Sequence, residues 1–337
     1  MEIVEPRSFA GIPRTRARNS TALAEQLSAI SPREDDVYVY QRWWPDPPLA
    51  RPGVHIWRTM FETSGLPDSW VDSSHAYDSV WVPTLFNRDT FCRAGVPIEK
   101  LTVIPSPAPT WSEQLLALAE ARGSDPEAYS EQRPFLFLSV GKWESRKGWE
   151  LLIDAFIAEF GGDDHTELLI KTNPFNGAAP SAALAAANKG IRLEQDLLQR
   201  EEMLRLYAQA DAFVIPSRGE GWGRPYMEAI LAGLPSIVTN WGGALRFAQP
   251  NRCLLVSCSL VACSANAITD WPYYAGQEWA EADHTDLRRA LRIARSGWRP
   301  RVGVAAVARE LSEEFSATAI ARLIVDALEH RLAPLTG

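Results

Sequence analysis

A glycine-rich turn between a short apolar run and a helical segment constrains the fold of this chain more than any other feature. The run Ala212–Pro216 is short and apolar, as buried strands of parallel sheets are. The turn follows as Ser-Arg-Gly-Glu-Gly-Trp-Gly, residues 217–223. Pro225 suits the first helical position, and Gly233 suits the residue just past the helix end. The order strand, turn, helix predicts an α/β fold, in which free backbone N–H groups and the positive helix end favour a bound phosphate.

Two carboxylates, Glu220 and Glu228, stand eight residues apart across this turn. We expect Glu220 in the loop and Glu228 in the first turn of the helix, both close to the bound anion. A negative ligand repels carboxylates unless they bind its hydroxyl groups, and a sugar nucleotide offers a diphosphate flanked by two polyols. The alternative is that Glu228 only complements the helix dipole and that Glu220 is solvated.

The turn and the segment after it resemble the E-x7-E motif of retaining GT-B glycosyltransferases, family 4 in particular. The resemblance continues through Gly-Leu-Pro-Ser-Ile-Val-Thr-Asn-Trp-Gly-Gly, residues 233–243, and covers most of residues 55–330. It implies that Glu220 binds hydroxyls of the donor sugar and that Glu228 binds the ribose hydroxyls. It also implies that backbone N–H groups of four residues hold the sugar and the phosphates: Gly221, Trp222, Gly223 and Arg224.

A basic turn opens the second half of the chain, with the sequence Gly-Lys-Trp-Glu-Ser-Arg-Lys-Gly at residues 141–148. Cations at a helix N-terminus oppose the macrodipole, so Arg146 and Lys147 fit there if a diphosphate lies between them and the helix. A solvated basic turn is the alternative. The resemblance implies that Lys142 and Lys147 contact the diphosphate, with Gly141 in the same site. Relatives have Arg where this chain has Lys142, and Lys keeps the charge but loses the bidentate fork.

A third carboxylate, Glu62, follows the predicted strand Val54–Phe61 at the edge where open α/β sheets bind ligands. Many relatives have a histidine at this position. We expect Glu62 to orient the acceptor hydroxyl or the donor, with a structural carboxylate as the alternative. His55 and His75 are interpreted as structural rather than catalytic.

The patterns along the chain, with the resemblance, predict two Rossmann-like domains that face each other across a cleft, an α/β fold of the GT-B type. Residues 1–130 would form an abridged N-terminal acceptor domain with a linker, in which 106–132 carry one short helix. Residues 131–310 would bind the nucleotide sugar, and 311–337 would cross back as a helix with an apolar stripe. Predicted strands are 37–40, 54–61, 79–83, 101–105, 135–140, 168–171 and 191–193, and predicted helices are 23–30, 149–160, 178–188 and 201–210.

Composition excludes several classes of protein. A net charge of −8 argues against a nucleic-acid binder, and 46% hydrophobic with 23% charged residues is typical of a soluble globular protein. No apolar run approaches the ~20 residues that span a bilayer, and the start does not resemble a signal peptide, so we expect a cytoplasmic location. The four cysteines lack zinc-site spacing and are expected to be reduced. Of the 13 tryptophans, Trp222 and Trp241 flank the motif and are candidates for ligand contact.

The sequence therefore predicts a hexosyltransferase-type enzyme that moves a sugar from a nucleotide-sugar donor to an acceptor hydroxyl, with retention of configuration. The resemblance implies no metal, because the family and this chain both lack the D-x-D motif of the other large transferase class. The acceptor is left open as a glycan, a lipid-linked compound or a small molecule. A peripheral membrane contact through the basic cluster at Arg14, Arg16 and Arg18 is also left open. The alternative is a non-catalytic GT-B-like subunit that binds a nucleotide or stabilises a partner.

Overall fold

The computed structural model describes residues 36–48, 50, 52–124, 133–173 and 190–332. Several predictions lie outside these residues: the helix at 23–30, the basic cluster Arg14, Arg16 and Arg18, and the alanine-rich helix at 178–188.

The first unit is a four-stranded parallel sheet in the order β1-β2-β3-β4. Its strands are β1 (Val37–Gln41), β2 (Val54–Arg58), β3 (Ser79–Val82) and β4 (Leu101–Val103), and its helices are α1 (Asp68–Ser74) and α2 (Leu85–Ala94). Every strand predicted here is confirmed, although β2, β3 and β4 end earlier than expected. β2 and β3 are buried along nearly their whole length, as continuous apolar runs in parallel sheets require.

The second unit contains a six-stranded parallel sheet in the order β10-β9-β8-β5-β6-β7. The strands are β5 (Phe135–Val140), β6 (Thr166–Lys171), β7 (Ile191–Glu194), β8 (Ala212–Ile215), β9 (Ser236–Thr239) and β10 (Leu254–Val256). The strand order reverses between β5 and β8, which are direct neighbours. Such a switch point leaves a crevice outside the carboxyl ends of the two strands, where open α/β sheets bind ligands.

Eight further helices follow the first sheet along the described parts of the chain. They are α3 (Ser112–Ser124), α4 (Trp149–Phe160), α5 (Arg200–Gln209), α6 (Arg224–Leu231), α7 (Ala265–Asp270), α8 (His284–Arg295), α9 (Val304–Glu314) and α10 (Ala317–Leu332). In the last helix Ile320 is buried, whereas Leu323 is 42% exposed.

An antiparallel hairpin of β11 (Cys258–Ala262) and β12 (Glu278–Ala282) leaves the second unit and packs on the first. Trp279 and Tyr274 are buried in the same hydrophobic cluster as Trp57, Phe61 and Trp70 of the first unit. The two units therefore share one aromatic core, and its tryptophans fill space between segments that are far apart in the chain.

The segment expected as a linker holds the 13-residue helix α3, which packs on the second unit instead of merely connecting the two. Its Leu115 and Ala119 are fully buried. Near its end, Arg122 donates to the carbonyl oxygen of Ala232 after α6 at 2.6 Å. It also donates to three carbonyl oxygens at the end of α5, those of Tyr207, Ala208 and Ala210. Carbonyls at a helix C-terminus have no partner within the helix and carry partial negative charge, so one guanidinium stabilises both helix ends.

Replacing Arg122 with Met should lower the free energy of unfolding by about 2–4 kcal/mol, because buried carbonyls of α5 and α6 lose their only charged donor among the described residues. Urea unfolding followed by circular dichroism measures this loss. The control is Arg309→Met on α9, whose pair with Glu120 is half-exposed, so it should cost about 0.5 kcal/mol or less. Equal effects of the two substitutions would contradict the capping role of Arg122.

Candidate functional site

The turns after β5 and β8 lie side by side, because these two strands are paired in parallel. A cleft of about 550 Å³ opens beside the turn after β5. The first unit contributes Trp43, Trp44 and Glu62 to its walls, and the second contributes Gly141, Lys142, Glu144, Arg146, Lys147, Lys171, Pro225, Trp271 and Tyr274, among others. The cleft is therefore at the predicted edge of the sheet and is lined by both units.

Glu220 is buried beside this cleft, and both of its carboxylate oxygens have partners. Its Oε1 accepts hydrogen bonds from Lys147 Nζ at 2.5 Å and from Ser217 Oγ at 2.8 Å. Its Oε2 lies 3.2 Å from Arg146 Nη1. Burial opposes ionisation, but the charges of Lys147 and Arg146 outweigh it and lower the pKa of Glu220 to about 2. Glu220 is therefore an anion at neutral pH.

Arg146 ties the two turns together. Its Nη1 donates to the carbonyl oxygen of Gly219 at 2.5 Å, and its Nη2 pairs with Glu144 at 2.6 Å. Its own carbonyl oxygen accepts from the N–H of Arg218 at 2.7 Å. These contacts hold residues 217–223, the glutamate loop, against the turn after β5, and contact of Arg146 with a diphosphate stays a prediction.

The cations that line the cleft come from two neighbouring strand ends. Lys142 follows β5 and is exposed, and its turn is fixed by Trp149 Nε1, which donates to the Lys142 carbonyl oxygen at 2.9 Å. Lys171 is the last residue of β6, and burial lowers the pKa of its ammonium group. Sequence reasoning placed Lys171 in a strand but not in the site. Its position at the carboxyl end of the strand paired with β5 was the signal that could have found it.

Glu228 lies apart from this charged cluster. It is the fifth residue of α6, so the expectation of a place in the first turn is wrong, because the helix begins at Arg224. Its Oε2 accepts a hydrogen bond from the Tyr207 hydroxyl at 2.9 Å. Burial raises the pKa of Glu228 to about 7, against the smaller opposing effects of Tyr207 and Arg224. Glu228 therefore changes protonation near neutral pH, unlike Glu220.

The residues between the two glutamates are packed closely. A Cβ at Gly219 would overlap the carbonyl oxygen of Glu62, and one at Gly221 would lie 2.8 Å from the side chain of Met60. Only glycine permits the loop to lie against the first unit in this way. Gly223 precedes α6 with φ +87°, and the side chain of Arg224 is exposed.

The two candidate tryptophans have different surroundings. Trp222 is buried, and its ring packs against Phe247 at 5.2 Å and Phe315 at 5.3 Å between ring centroids. Its side chain therefore belongs to the core, and a ligand could reach only its backbone. Trp241 is half-buried and contacts Phe86 of the first unit at 4.8 Å.

Glu62 is the carboxyl group that the first unit contributes to the cleft, and it is 9% exposed. Burial raises the pKa of its carboxyl group; Glu144 and Glu220 add to the effect, and Arg146 and Lys147 oppose it. Its Oε2 is buried without a hydrogen-bond partner among the described residues. The structural interpretation of the histidines agrees with their places: His55 is buried and shares a 2.8 Å hydrogen bond with Tyr40, and His75 is exposed and does not line the cleft.

In the part of the chain that the structure describes, no group of three or more His, Cys, Asp or Glu side chains could hold a metal ion. All four cysteines are free thiols, and burial raises the pKa of Cys253 to about 12. No helix within the described ranges is long and apolar enough to cross a membrane.

Comparison with known proteins identifies the second unit. Residues 134–271 match the sequence model of the family "Glycosyl transferases group 1". A segment of 118 residues is 30% identical to mannosylfructose-phosphate synthase of Agrobacterium fabrum, covering 32% of this chain and 26% of that protein. The match thus spans about a quarter of the length of this curated relative.

Solved structures share the fold over most of the chain. The α,α-trehalose 6-phosphate synthase of Burkholderia multivorans matches with a TM-score of 0.66 and 13% identity, over 93% of this chain and 75% of that one. Anabaena HepE, solved in complex with UDP and glucose, matches with a TM-score of 0.56 and 14% identity, over 82% of this chain and 72% of that one. At such identities the likeness establishes the fold alone. Residues 134–271 are thus similar in sequence to group 1 glycosyltransferases, and the chain has the two-sheet fold of the GT-B glycosyltransferases.

Proposed function

We propose that this protein transfers a sugar from a nucleoside-diphosphate donor to an acceptor hydroxyl, with retention of anomeric configuration and without a metal ion. The observation that carries the proposal is the buried pair of Glu220 and Lys147 at the switch point, beside a cleft lined by Lys142 and Lys171. The pair joins the basic turn after β5 to the glutamate loop after β8. The positive charges of Lys142 and Lys171 offer a place for a diphosphate.

The donor would lie across the carboxyl ends of β5 and β8. Lys142, Lys171 and the N-terminus of α6 would face the diphosphate, and Glu220 would bind hydroxyls of the sugar. The acceptor oxygen attacks the anomeric carbon while the bond from that carbon to the phosphate oxygen breaks, and its electron pair leaves with the diphosphate. The acceptor proton passes to the departing phosphate oxygen, so attack and departure occur on one face and the configuration is retained.

The charge on the leaving diphosphate is the main energetic demand of this reaction. Lysines held in place before the reaction stabilise that charge without reorganising, and stabilisation of this kind accounts for much of the rate enhancement in many enzymes. Lys147 is held by Glu220, so the carboxylate both positions the cation and presents its remaining lone pairs to the sugar. Because lysines would stabilise the diphosphate charge, the proposal includes no metal ion.

A non-catalytic nucleotide-binding subunit is the second candidate. The observation that favours it is the complete pairing of Glu220 by Lys147, Ser217 and Arg146, which would suit a purely structural carboxylate. For either candidate, a cytoplasmic location stays a prediction of the sequence.

Substitution of Glu220 by Gln should reduce nucleoside-diphosphate release by roughly 100-fold or more, because the sugar loses its charged partner and Lys147 loses its anchor. UDP-, GDP-, dTDP- and ADP-sugars are tested in turn by thermal stabilisation and by diphosphate release. The expected result is that one donor stabilises the wild-type protein and is slowly hydrolysed. Stabilisation by a donor with no release under any condition would favour the non-catalytic candidate, and no stabilisation at all would contradict both.

The matched control for this substitution is Glu159→Gln. Glu159 is a carboxylate of similar exposure, 9% against 11% for Glu220, and it also pairs with two cations, Arg288 and Arg292. It lies on α4 and does not line the cleft. Both variants should lose stability, but only Glu220→Gln should lose turnover.

Binding of the nucleoside diphosphate should weaken by roughly three- to tenfold as the pH falls through 7. The pKa of Glu228 is about 7, so the carboxyl group is ionised above that pH and accepts charge-assisted hydrogen bonds from the ribose hydroxyls, and it is protonated below. Calorimetric titration between pH 5.5 and 8.5 measures the change. The Glu228→Gln variant is the control, because the pH dependence of binding that it retains comes from all other groups, including the phosphates of the ligand. An identical pH profile in the variant would remove Glu228 from the nucleotide site.

A further inference from the structure

We infer that the end of the cleft formed by Trp43, Glu62, Trp271 and Tyr274 is an acceptor subsite for a neutral carbohydrate, with Glu62 and the indole N–H of Trp43 as the hydrogen-bond partners of its hydroxyls. This inference rests on the proposed function, since it names the acceptor that the transfer would use.

Two unpartnered polar atoms support the subsite. Glu62 Oε2 and Trp43 Nε1 are both buried, and neither has a hydrogen-bond partner among the described residues. Burying such groups without partners costs free energy, so native proteins rarely leave them unpaired. Both side chains line the same cleft, and Trp43 stacks on Phe61, the neighbour of Glu62, at 5.6 Å and an interplanar angle of 8°. A hydroxyl group donates and accepts at once, so polyols match this pairing of an indole donor with a carboxyl group.

Aromatic rings form the walls at this end. The ring of Trp43 meets Trp271 edge-on at 5.1 Å, and Tyr274 is 3% exposed beside them. Thr59 fixes the loop, because its hydroxyl donates to the carbonyl oxygen of Trp43 at 3.1 Å. The C–H faces of a sugar ring pack on the negative faces of aromatic rings, so rigid indoles are suited to hold a pyranose.

The distribution of charge selects a neutral ligand. The lining cations lie at two strand ends: Lys142, Arg146 and Lys147 in the turn after β5, and Lys171 as the last residue of β6. The aromatic end carries a carboxyl group, Glu62, and none of its described lining residues is Lys or Arg. Arg146 and Lys147 are near enough to Glu62 to act on its pKa, but both are already paired with Glu144 or Glu220. A phosphate on the acceptor would therefore lie beside Glu62 and compete with these carboxylates, while Lys142 and Lys171 would be occupied by the donor diphosphate. A free or terminal sugar hydroxyl meets no such penalty.

The test begins with the donor that stabilises the wild-type protein. With that donor saturating, diphosphate release is measured with neutral mono- and disaccharides and their methyl glycosides. The same assay is run with hexose 6-phosphates and with a detergent-dispersed polyprenyl phosphate sugar. We expect at least one neutral sugar to stimulate release above hydrolysis by tenfold or more, and the phosphorylated acceptors to stimulate it less.

Three variants then locate the site. Glu62→Gln keeps the size of the side chain and Trp43→Phe keeps an aromatic ring, but they remove the carboxylate and the indole donor. Each should raise the KM for the neutral sugar by roughly tenfold while the donor KM changes less than twofold. Trp298→Phe, after α8 and away from the cleft, is the matched control and should change neither constant. Thermal unfolding of each variant shows whether the fold is retained.

Several outcomes would overturn the inference. Stimulation only by phosphorylated or lipid-linked acceptors would exclude a neutral carbohydrate, and so would the absence of stimulation by any acceptor when a donor binds. A higher donor KM with an unchanged acceptor KM would assign the aromatic end to the nucleotide base. Failure of every donor to bind the wild-type protein is a separate result, because it removes the proposed function itself.

Discussion

Close backbone contact between the two units determines the geometry of this site. The glutamate loop lies against the first unit at Gly219, where a side chain would overlap the carbonyl oxygen of Glu62. It also lies against its own unit at Gly243, where a side chain would overlap the carbonyl oxygen of Gly221. Such contacts leave no layer of flexible side chains between the segments, so Glu62 and Glu220 are held at a fixed separation by the fold. Preorganisation of this kind is what positioning of reactants requires, since small displacements of a catalytic group cost large factors in rate.

The buried charges around this contact explain why two neighbouring carboxyl groups have opposite tendencies. Arg146 and Lys147 are matched by Glu220 and Glu144, and the ion pairs among them offset the cost of burial. Because these cations are already paired with Glu144 and Glu220, they compensate the burial of Glu62 only in part. Burial therefore raises the pKa of Glu62, whereas the pKa of Glu220 falls to about 2. Environment rather than residue type therefore sets how readily each of the two carboxyl groups ionises.

The sequence predicts the local parts of this molecule well and the long-range contacts poorly. Apolar runs identify β5 and β8, and the motif identifies Glu220 and Lys147, because each of these signals lies within a few consecutive residues. Trp222 was a candidate for ligand contact, but its ring packs on Phe315. Phe315 is far from Trp222 in the chain, and no local sequence pattern predicts this contact. For the same reason the partnership of Trp43 with Trp271 and the capping by Arg122 could not be predicted. Periodicity reports which face of an element is apolar, but not which distant element covers it.

The shared aromatic core also limits how this cleft can open. A sheet of four strands is small, and its apolar face needs a cover that a larger domain would supply from its own chain. Here the hairpin of the second unit provides it, because Tyr274 and Trp279 are buried with Trp57 and Trp70 of the first. Rotation of the units away from each other would expose these rings, and each fully buried aromatic side chain contributes about 2–3 kcal/mol through the hydrophobic effect. A ligand therefore enters more readily through the mouth of the cleft than by separation of the units. The aromatic residues that stabilise the first unit also lie beside the proposed acceptor subsite.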